Sequence, residues 1–134
     1  MNVVIDSNVL ISSLLFTGKS RTAYDYCIEH CDLFISDFIL TEVTEKLREK
    51  FSVGDEMIKR IVTELQKVFQ KSVPRTSVPN ICRDADDNFI LQLCESVAAD
   101  FLITGDKDLL VLKQFESARI ISPANFLRAM ESTS

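Results

Sequence analysis

Hydrophobic positions in this chain fall into two patterns, short continuous runs and longer stretches with helical spacing. A three-residue apolar run between polar residues is typical of a strand buried on both faces of a parallel sheet. Each such run here is followed by a stretch long enough to form a helix. The pattern predicts four strands, at Val3–Ile5, Leu33–Ile35, Phe101–Ile103 and Arg119–Ile121.

Between these runs, apolar residues recur every three or four positions, as on one face of an amphipathic helix. Ser20 and either Ser36 or Asp37 are suitable N-caps, and Pro123 suits the first turn of a C-terminal helix. The predicted helices cover about 8–15 and 20–30, about 37 through Leu47, about 55 through Phe69, about 87 through Val97, about 107–114, and the stretch from Pro123 onward.

Alternation of short buried strands with helices predicts an α/β fold, a three-layer α/β/α sandwich with a central parallel sheet. The length of 134 residues is close to the commonest domain size, so we expect a single domain over residues 1–134. Pro74 to Pro79 is the only extended loop signal, and it is too short for a domain linker.

Composition narrows the class of protein. A hydrophobic fraction of 46% with 26% charged residues is typical of a globular core. The net charge of −5 argues against a broadly basic nucleic-acid binder, so any contact with nucleic acid must be local. The opening residues have neither a basic region nor a long apolar run, so we expect a cytoplasmic protein without membrane contact.

Four acidic residues stand beside apolar runs: Asp6, Glu42, Asp87 and Asp106. The carboxyl ends of parallel strands open onto one crevice, so these side chains are expected to converge. At about 4 Å, two carboxylates repel by about 1 kcal/mol in water and about 4 kcal/mol at an effective dielectric of 20. Mg²⁺ or Mn²⁺ would relieve this repulsion and could act on a phosphate group.

The acidic runs also have a simpler interpretation as helix caps. Asp84–Asp87 precedes one predicted helix, and Asp106 and Asp108 flank the start of another. Aspartates there satisfy free N–H groups and interact favourably with the helix dipole. Either run alone is therefore weak evidence, whereas both runs together with Asp6 and Glu42 form a more specific set.

Two phosphate-related motifs are incomplete. Gly18–Ser20 looks like the end of a Walker A loop, but Ser13 stands where the first glycine is required. Asp6 followed by Asn8 lacks the second aspartate that a haloacid-dehalogenase-type phosphatase uses as its acid and base. Neither motif supplies the groups its chemistry needs.

The cysteines do not predict a zinc site. Cys27 and Cys31 lie one helical turn apart with His30 beside them, but no second histidine and no C-x₂-C pair completes the ligand set. We therefore expect all four cysteines to be reduced thiols in or near the core.

With these motifs in place, the sequence resembles the PIN domain, a family of metal-dependent ribonucleases. Val4–Ser12 is similar to the family's first motif, and Thr41–Val43 is similar to the second. Asp86–Cys94 corresponds to the third motif and Leu102–Asp106 to the fourth. The resemblance covers nearly the whole chain, in the expected order.

More narrowly, Asp84–Asn88 resembles the bacterial VapC-like branch, the toxin components of toxin–antitoxin pairs. That branch commonly has proline where this chain has Ala85. The resemblance implies a Mg²⁺- or Mn²⁺-dependent endoribonuclease that hydrolyses RNA phosphodiester bonds and leaves a 5′-phosphate and a 3′-hydroxyl. It also implies an antitoxin protein partner and a homodimer. The homodimer is predicted through the helices between Asp37 and Gln70, whose apolar stripes include Phe51, Met57 and Phe69.

The resemblance also assigns roles to residues. The metal-binding and catalytic acids would be Asp6, Glu42, Asp87 and Asp106. Residues that contact the metal ligands, or that serve as additional ligands, would be Asn8, Asp84, Thr104 and Asp108. Four basic residues near the motifs could contact substrate phosphates, namely Lys19, Arg21, Arg83 and Lys107. Exposed basic residues are, however, more often simply solvated.

Two alternatives stay open at this point. Some PIN-like domains have lost activity and act as binding modules or scaffolds, although all four acids are present here. A Mg²⁺-dependent small-molecule phosphohydrolase would use the same acids in a closed pocket.

Overall fold

The computed structural model describes residues 1–132; the last two residues of the predicted domain lie outside the described part. The strands are β1 (Asn2–Ile5), β2 (Asp32–Ile35), β3 (Gln70–Lys71), β4 (Phe101–Ile103), β5 (Gln114–Phe115) and β6 (Ala118–Ile121). The helices are α1 (Ser7–Leu15), α2 (Lys19–His30), α3 (Asp37–Glu49), α4 (Asp55–Val68), α5 (Ala85–Ser96), α6 (Lys107–Leu110) and α7 (Pro123–Ser132).

The strands form one six-stranded sheet in the order β3-β2-β1-β4-β6-β5. Every pairing is parallel except the one between β5 and β6 at the edge. The α/β class is thus confirmed, and the sheet is mostly parallel instead of wholly parallel. The central strands β1 and β4 pair in register from Val3–Phe101 to Ile5–Ile103, which sets their carboxyl ends side by side.

Three elements differ from the sequence-based expectation: β3, β5 and α6. The edge strands β3 and β5 have two residues each and no apolar run, so no hydrophobic pattern marked them. The helix expected over about 107–114 ends at Leu110. Lys113 has a φ of 64°, in the left-handed region, and the chain then enters β5 to pair with β6. This turn reverses the chain, which the local sequence did not show.

The hydrophobic core lies on both faces of the central strands. Val3, Val4, Leu102 and Ile103 are fully buried, as expected for parallel strands covered by helices on both sides. Phe126 of α7 is also fully buried. Burial of a side chain of this size contributes about 1.5–3 kcal/mol, so the core holds the strand ends in fixed positions.

The longest described helix, α4, has 14 residues, whereas a membrane-spanning helix needs about 20 apolar ones. Accordingly, no helix among residues 1–132 is long and apolar enough to cross a membrane. The cytoplasmic location stays a prediction.

Candidate active site

Asp6 stands where β1 passes into α1, at the carboxyl edge of the sheet. Its backbone N–H donates to the carbonyl of Ile103 at 3.0 Å, which ties it to the end of β4. Its Oδ1 accepts from the backbone N–H groups of Asn8 (2.9 Å) and Val9 (3.1 Å) and so caps α1. One carboxylate oxygen is therefore fixed by the first turn of the helix.

Thr104 connects Asp6 to Asp106. Its fully buried hydroxyl donates to Asp6 Oδ2 and accepts from the backbone N–H of Asp106 at 3.0 Å. Burial raises the pKa of Asp6, and the charge of Asp106 raises it further. The hydrogen bonds from Thr104, Val9 and Asn8 act in the opposite direction, because they stabilise the ionised form.

Glu42 enters the site from α3 and is held at both carboxylate oxygens. Ser7 Oγ donates to Glu42 Oε1 at 2.5 Å. Lys46, one helical turn further along α3, places its Nζ 3.9 Å from Glu42 Oε2. The same Nζ donates to Asn8 Oδ1 at 3.1 Å, so Lys46 joins α3 to the start of α1.

The start of α5 supplies the remaining carboxylates. Asp84 is the N-cap, and its Oδ1 accepts from the backbone N–H of Asp86 at 3.0 Å. Asn88 is buried, and its Oδ1 accepts from the backbone N–H groups of Ile81 (3.1 Å) and Cys82 (2.9 Å). Asn88 thus fixes the preceding loop against α5 and determines where the acidic turn lies.

Asp87 is the least satisfied of the four acids. Its Oδ2 is buried and has no hydrogen-bond partner among residues 1–132. Desolvation raises the pKa of Asp87 to about 7, and the negative charges of Asp106 and Asp84 contribute. A buried acceptor without a donor is costly, so this oxygen has an unmet need for a proton or a cation.

The four predicted acids meet in one cleft of about 260 Å³. Its lining also contains Asn8 and Asp84, while Thr104 is outside the lining and donates a hydrogen bond to Asp6. Asp108 does not line the cleft; its Oδ1 accepts from Arg83 Nη2 at 2.7 Å. The full lining is Asp6, Ser7, Asn8, Glu42, Lys46, Asp84, Asp86, Asp87, Ile90 and Asp106.

None of the four predicted phosphate-binding residues lines the cleft. Lys19 and Arg21 lie in the first turn of α2, whose N-cap is Gly18 and not the predicted Ser20. The Nε of Arg21 donates to Asp25 at 3.1 Å and its Nη1 to the carbonyl of Ser13 at 3.3 Å. Lys107 is exposed at the start of α6, directly after Asp106, and is the best placed of the four.

Sequence reasoning did not assign roles to Ser7, Lys46 and Asn88. A signal existed for each of them. Ser7 lies inside the first motif, Lys46 follows Glu42 at the i,i+4 spacing of a helical ion pair, and Asn88 ends the acidic run. Ser7 contacts Glu42 and Lys46 contacts Asn8, and only the fold brings these residues together. Asn88, in contrast, contacts the loop just before its own helix.

The donor set of the cleft fits a hard divalent cation. Carboxylate oxygens are the ligands that Mg²⁺ and Mn²⁺ prefer, and Asp87 Oδ2 is an oxygen without a partner. In residues 1–132 no group of three or more His, Cys, Asp or Glu side chains is arranged as a ready-made metal site. The oxygens of Asp6 and Glu42 instead contact Thr104, Ser7, Lys46 and the α1 amides.

Two solved structures share the fold. One is the structure of VapBC2 from Rickettsia felis bound to a DNA fragment from the VapBC2 promoter. It matches with a TM-score of 0.61 and 12% identity over 90% of this chain and 97% of the other. FitAcB from Neisseria gonorrhoeae matches with a TM-score of 0.60 and 13% identity over 91% and 98% of the two chains. At this identity the likeness concerns the fold alone. A comparison with curated protein sequences finds no significant match.

The sequence itself also matches a family model. The model is that of the PIN domain, and it matches residues 2–108, which include all four cleft acids. This match confirms the resemblance drawn from the four motifs. The chain belongs to the PIN domain family.

Proposed function

We propose that this protein is a divalent-metal-dependent endoribonuclease and the toxin component of a type II toxin–antitoxin pair. PIN domains are generally nucleases, which supports a hydrolase at that coarse level. The observation that carries the proposal is the buried Asp87 Oδ2, without a hydrogen-bond donor, in a cleft shared with three other carboxylates. Such an arrangement is stable only if protons or a cation compensate the charge.

Asp6, Glu42, Asp87 and Asp106 would hold the cation, Mg²⁺ or Mn²⁺. When bound, it would supply Lewis-acid stabilisation of negative charge on the phosphate and leaving oxygens. Thr104 keeps Asp6 oriented, and Ser7 keeps Glu42 oriented, so neither carboxylate has to be ordered when substrate arrives.

Asp87 is the best candidate for moving a proton. Desolvation raises the pKa of Asp87 to about 7 in the cleft without a cation, so its carboxyl can exchange a proton near neutral pH. A water attacking phosphorus in line would lose its proton to an oxygen of Asp87 that does not hold the cation, while the bond to the 3′-oxygen breaks. The 3′-oxygen then gains a proton from solvent, which leaves a 3′-hydroxyl and a 5′-phosphate.

Single-stranded RNA is the proposed substrate, and Lys107 the proposed phosphate contact nearest to the cleft. Lys107 is exposed and follows Asp106 directly in the sequence, which supports a contact between its ammonium group and a backbone phosphate. Arg21 and Arg83 are already paired with Asp25 and Asp108, so their contributions would require those ion pairs to open.

An antitoxin protein is the proposed partner. The VapC-like motif run from Asp84 to Asn88 supports this partner, as does the fold shared with VapBC2 and FitAcB. When a cognate antitoxin is mixed one-to-one with the purified chain, it should bind the chain and reduce RNA cleavage.

A homodimer remains a proposal, with a revised surface. Phe69 was expected on it but is only 4% exposed. Phe51 and Met57 are 42% and 49% exposed, and Phe51 packs edge-on against Phe16, which is 55% exposed. Phe16 and Phe51 thus form an exposed apolar patch, Met57 is a further exposed apolar residue on α4, and pairing of two copies would exclude water from such surfaces. A monomer mass by light scattering at micromolar concentration would count against the dimer.

The test uses two substrates with the purified chain. A mixed-sequence RNA and p-nitrophenyl phosphate are each incubated with Mg²⁺, Mn²⁺ or EDTA, and RNA products are analysed for their end groups. We expect RNA cleavage only with metal, with 5′-phosphate ends. Cleavage of the small ester alone would favour the phosphohydrolase, and metal binding without cleavage of mixed, structured or transfer RNA would favour a scaffold.

A further inference from the structure

A second large cavity lies beside α7, on the outer part of the sheet. Its volume is about 910 Å³, within the range of about 300–1,000 Å³ typical of ligand sites. β6 forms its floor, α7 one wall, and the segment from Leu110 to Lys113 the other wall. We call this cavity the α7 groove.

Three positive charges surround the α7 groove, one from each side. Arg119 comes from the floor, Arg128 from α7, and Lys113 from the opposite wall. Arg119 pairs in register with Phe101, whose ring packs edge-on against Phe126 of α7 at 5.3 Å. Register partners point to the same face of a sheet, so Arg119 projects toward the α7 layer.

Within residues 1–132, these charges are not neutralised by a neighbouring acid. None of the described residues that line the α7 groove is acidic. In the part of the chain from 1 to 132, none of the three cations lies within ion-pair distance of a carboxylate; Arg128 Nη1 donates to Asn125 Oδ1 at 3.0 Å. In a protein of net charge −5, this is a local region of positive potential with low-dielectric walls.

We propose that the α7 groove binds a nucleotide phosphate, from a free mononucleotide or from an RNA strand. The planar guanidinium groups of Arg119 and Arg128 match phosphate oxygens, and the ammonium of Lys113 adds a point charge. Phe101, Leu110 and Ala129, which are partly buried, provide apolar surface in the same cavity, against which a base or ribose can lie. This site is independent of the acidic cleft and of the cation proposed there.

Binding to the α7 groove can be measured under conditions in which the acidic cleft holds no divalent cation. A fluorescein-labelled five-nucleotide oligoadenylate is titrated with the whole chain in EDTA, and unlabelled oligoadenylate RNA, AMP, inorganic phosphate and a polyglutamate peptide are used as competitors. The site variant is Arg119→Gln/Arg128→Gln. The matched control is Lys59→Gln/Arg60→Gln, which removes two exposed positive charges from α4.

We expect wild type and the control to bind equally and the site variant to bind at least about tenfold more weakly. The salt slope for RNA should fall by about 1.4 in the site variant, from two lost phosphate contacts. Competition by AMP would identify the mononucleotide as a sufficient ligand, and displacement by RNA alone would identify the strand; both outcomes support the proposal.

Three results would overturn it: no binding by wild type, equal weakening in both variants, or displacement by polyglutamate as effective as that by RNA. Thermal melts of both variants show whether the fold is retained. If the site variant unfolds, Lys113→Asn replaces it, since asparagine tolerates the left-handed φ of 64° at that position.

Discussion

Thr104 joins the carboxylate of Asp6 to the backbone of Asp106 through one hydroxyl group. This hydroxyl donates to Asp6 Oδ2 and accepts from the backbone N–H of Asp106. A Thr at this position therefore fixes the distance between two proposed cation ligands. Removal of a residue that orients a metal ligand in this way commonly lowers metal affinity or activity by roughly 10- to 100-fold.

Replacement of Thr104 by valine keeps the side-chain shape but removes both hydrogen bonds. We expect RNA cleavage to fall by roughly 10- to 100-fold, with a higher Mn²⁺ concentration needed for half-maximal rate. Thr104→Ser should restore most of the rate, because serine retains the hydroxyl. Full activity at unchanged Mn²⁺ demand in Thr104→Val would contradict the positioning role.

Asp87 makes the metal-free protein sensitive to pH. Its pKa rises from 3.8 to about 7 on folding, so between these values the native state holds a proton that the unfolded state has released. The free energy of unfolding therefore falls as pH rises through this window, and the penalty is complete above about pH 7.

The variant Asp87→Asn mimics the protonated form. In EDTA it should be more stable than wild type at pH 8, with a smaller advantage at pH 5. Denaturant unfolding at both pH values measures this, with Asp32→Asn, an exposed aspartate at the start of β2, as the control. An advantage that is equal at both values, or absent, would show that burial does not raise the pKa of Asp87.

At the scale of elements, the site is built from helix starts. The first turn of α1 holds Asp6, the first turn of α5 carries Asp87, and Asp106 caps α6 by accepting from the backbone N–H of Asp108 at 2.9 Å. Helix N-termini favour negative charge, and this partly offsets the repulsion between the acids. Capping and metal binding are therefore compatible interpretations of the same aspartates.

Asn88 tests this element-level account, because it holds the loop before α5. Asn88→Ala leaves the N–H groups of Ile81 and Cys82 without their acceptor, which should lower the free energy of unfolding by about 1–3 kcal/mol. Asn80→Ala, at an exposed position in the same loop, should have little effect. Equal stability of the two variants in denaturant melts would mean that Asn88 does not anchor the loop.

The elements also show what the sequence could and could not predict. The four strands that carry apolar residues and the helix starts were predictable. Burial on both faces of the sheet marks such strands in the local sequence, and capping residues mark the helix starts. β3 and β5 were not, since two-residue edge strands are defined by their partners alone. In the site, Asp6, Glu42, Asp87 and Asp106 were predictable from their positions, whereas the contacts of Ser7 and Lys46 depend on how α1 and α3 pack.

For the whole molecule, the charge distribution is divided into two regions. The acidic cleft lies at the carboxyl ends of β1 and β4, and the three cations of the α7 groove surround the cavity beside β6. A nucleic acid can approach such a protein only where cations, bound or built in, offset its overall charge of −5. The account therefore predicts that activity on RNA depends strictly on a divalent metal.

The most direct test is the rate of RNA cleavage by wild type, Asp6→Asn and the surface control Asp32→Asn, each with Mn²⁺ or EDTA. Asparagine keeps the shape of Asp6 but removes its charge, so the variant should fold and lose roughly a thousandfold in rate with Mn²⁺. Asp32→Asn should cleave like wild type, and none of the three should cleave in EDTA. Equal cleavage by wild type with Mn²⁺ and with EDTA, or full activity of Asp6→Asn, would contradict the account.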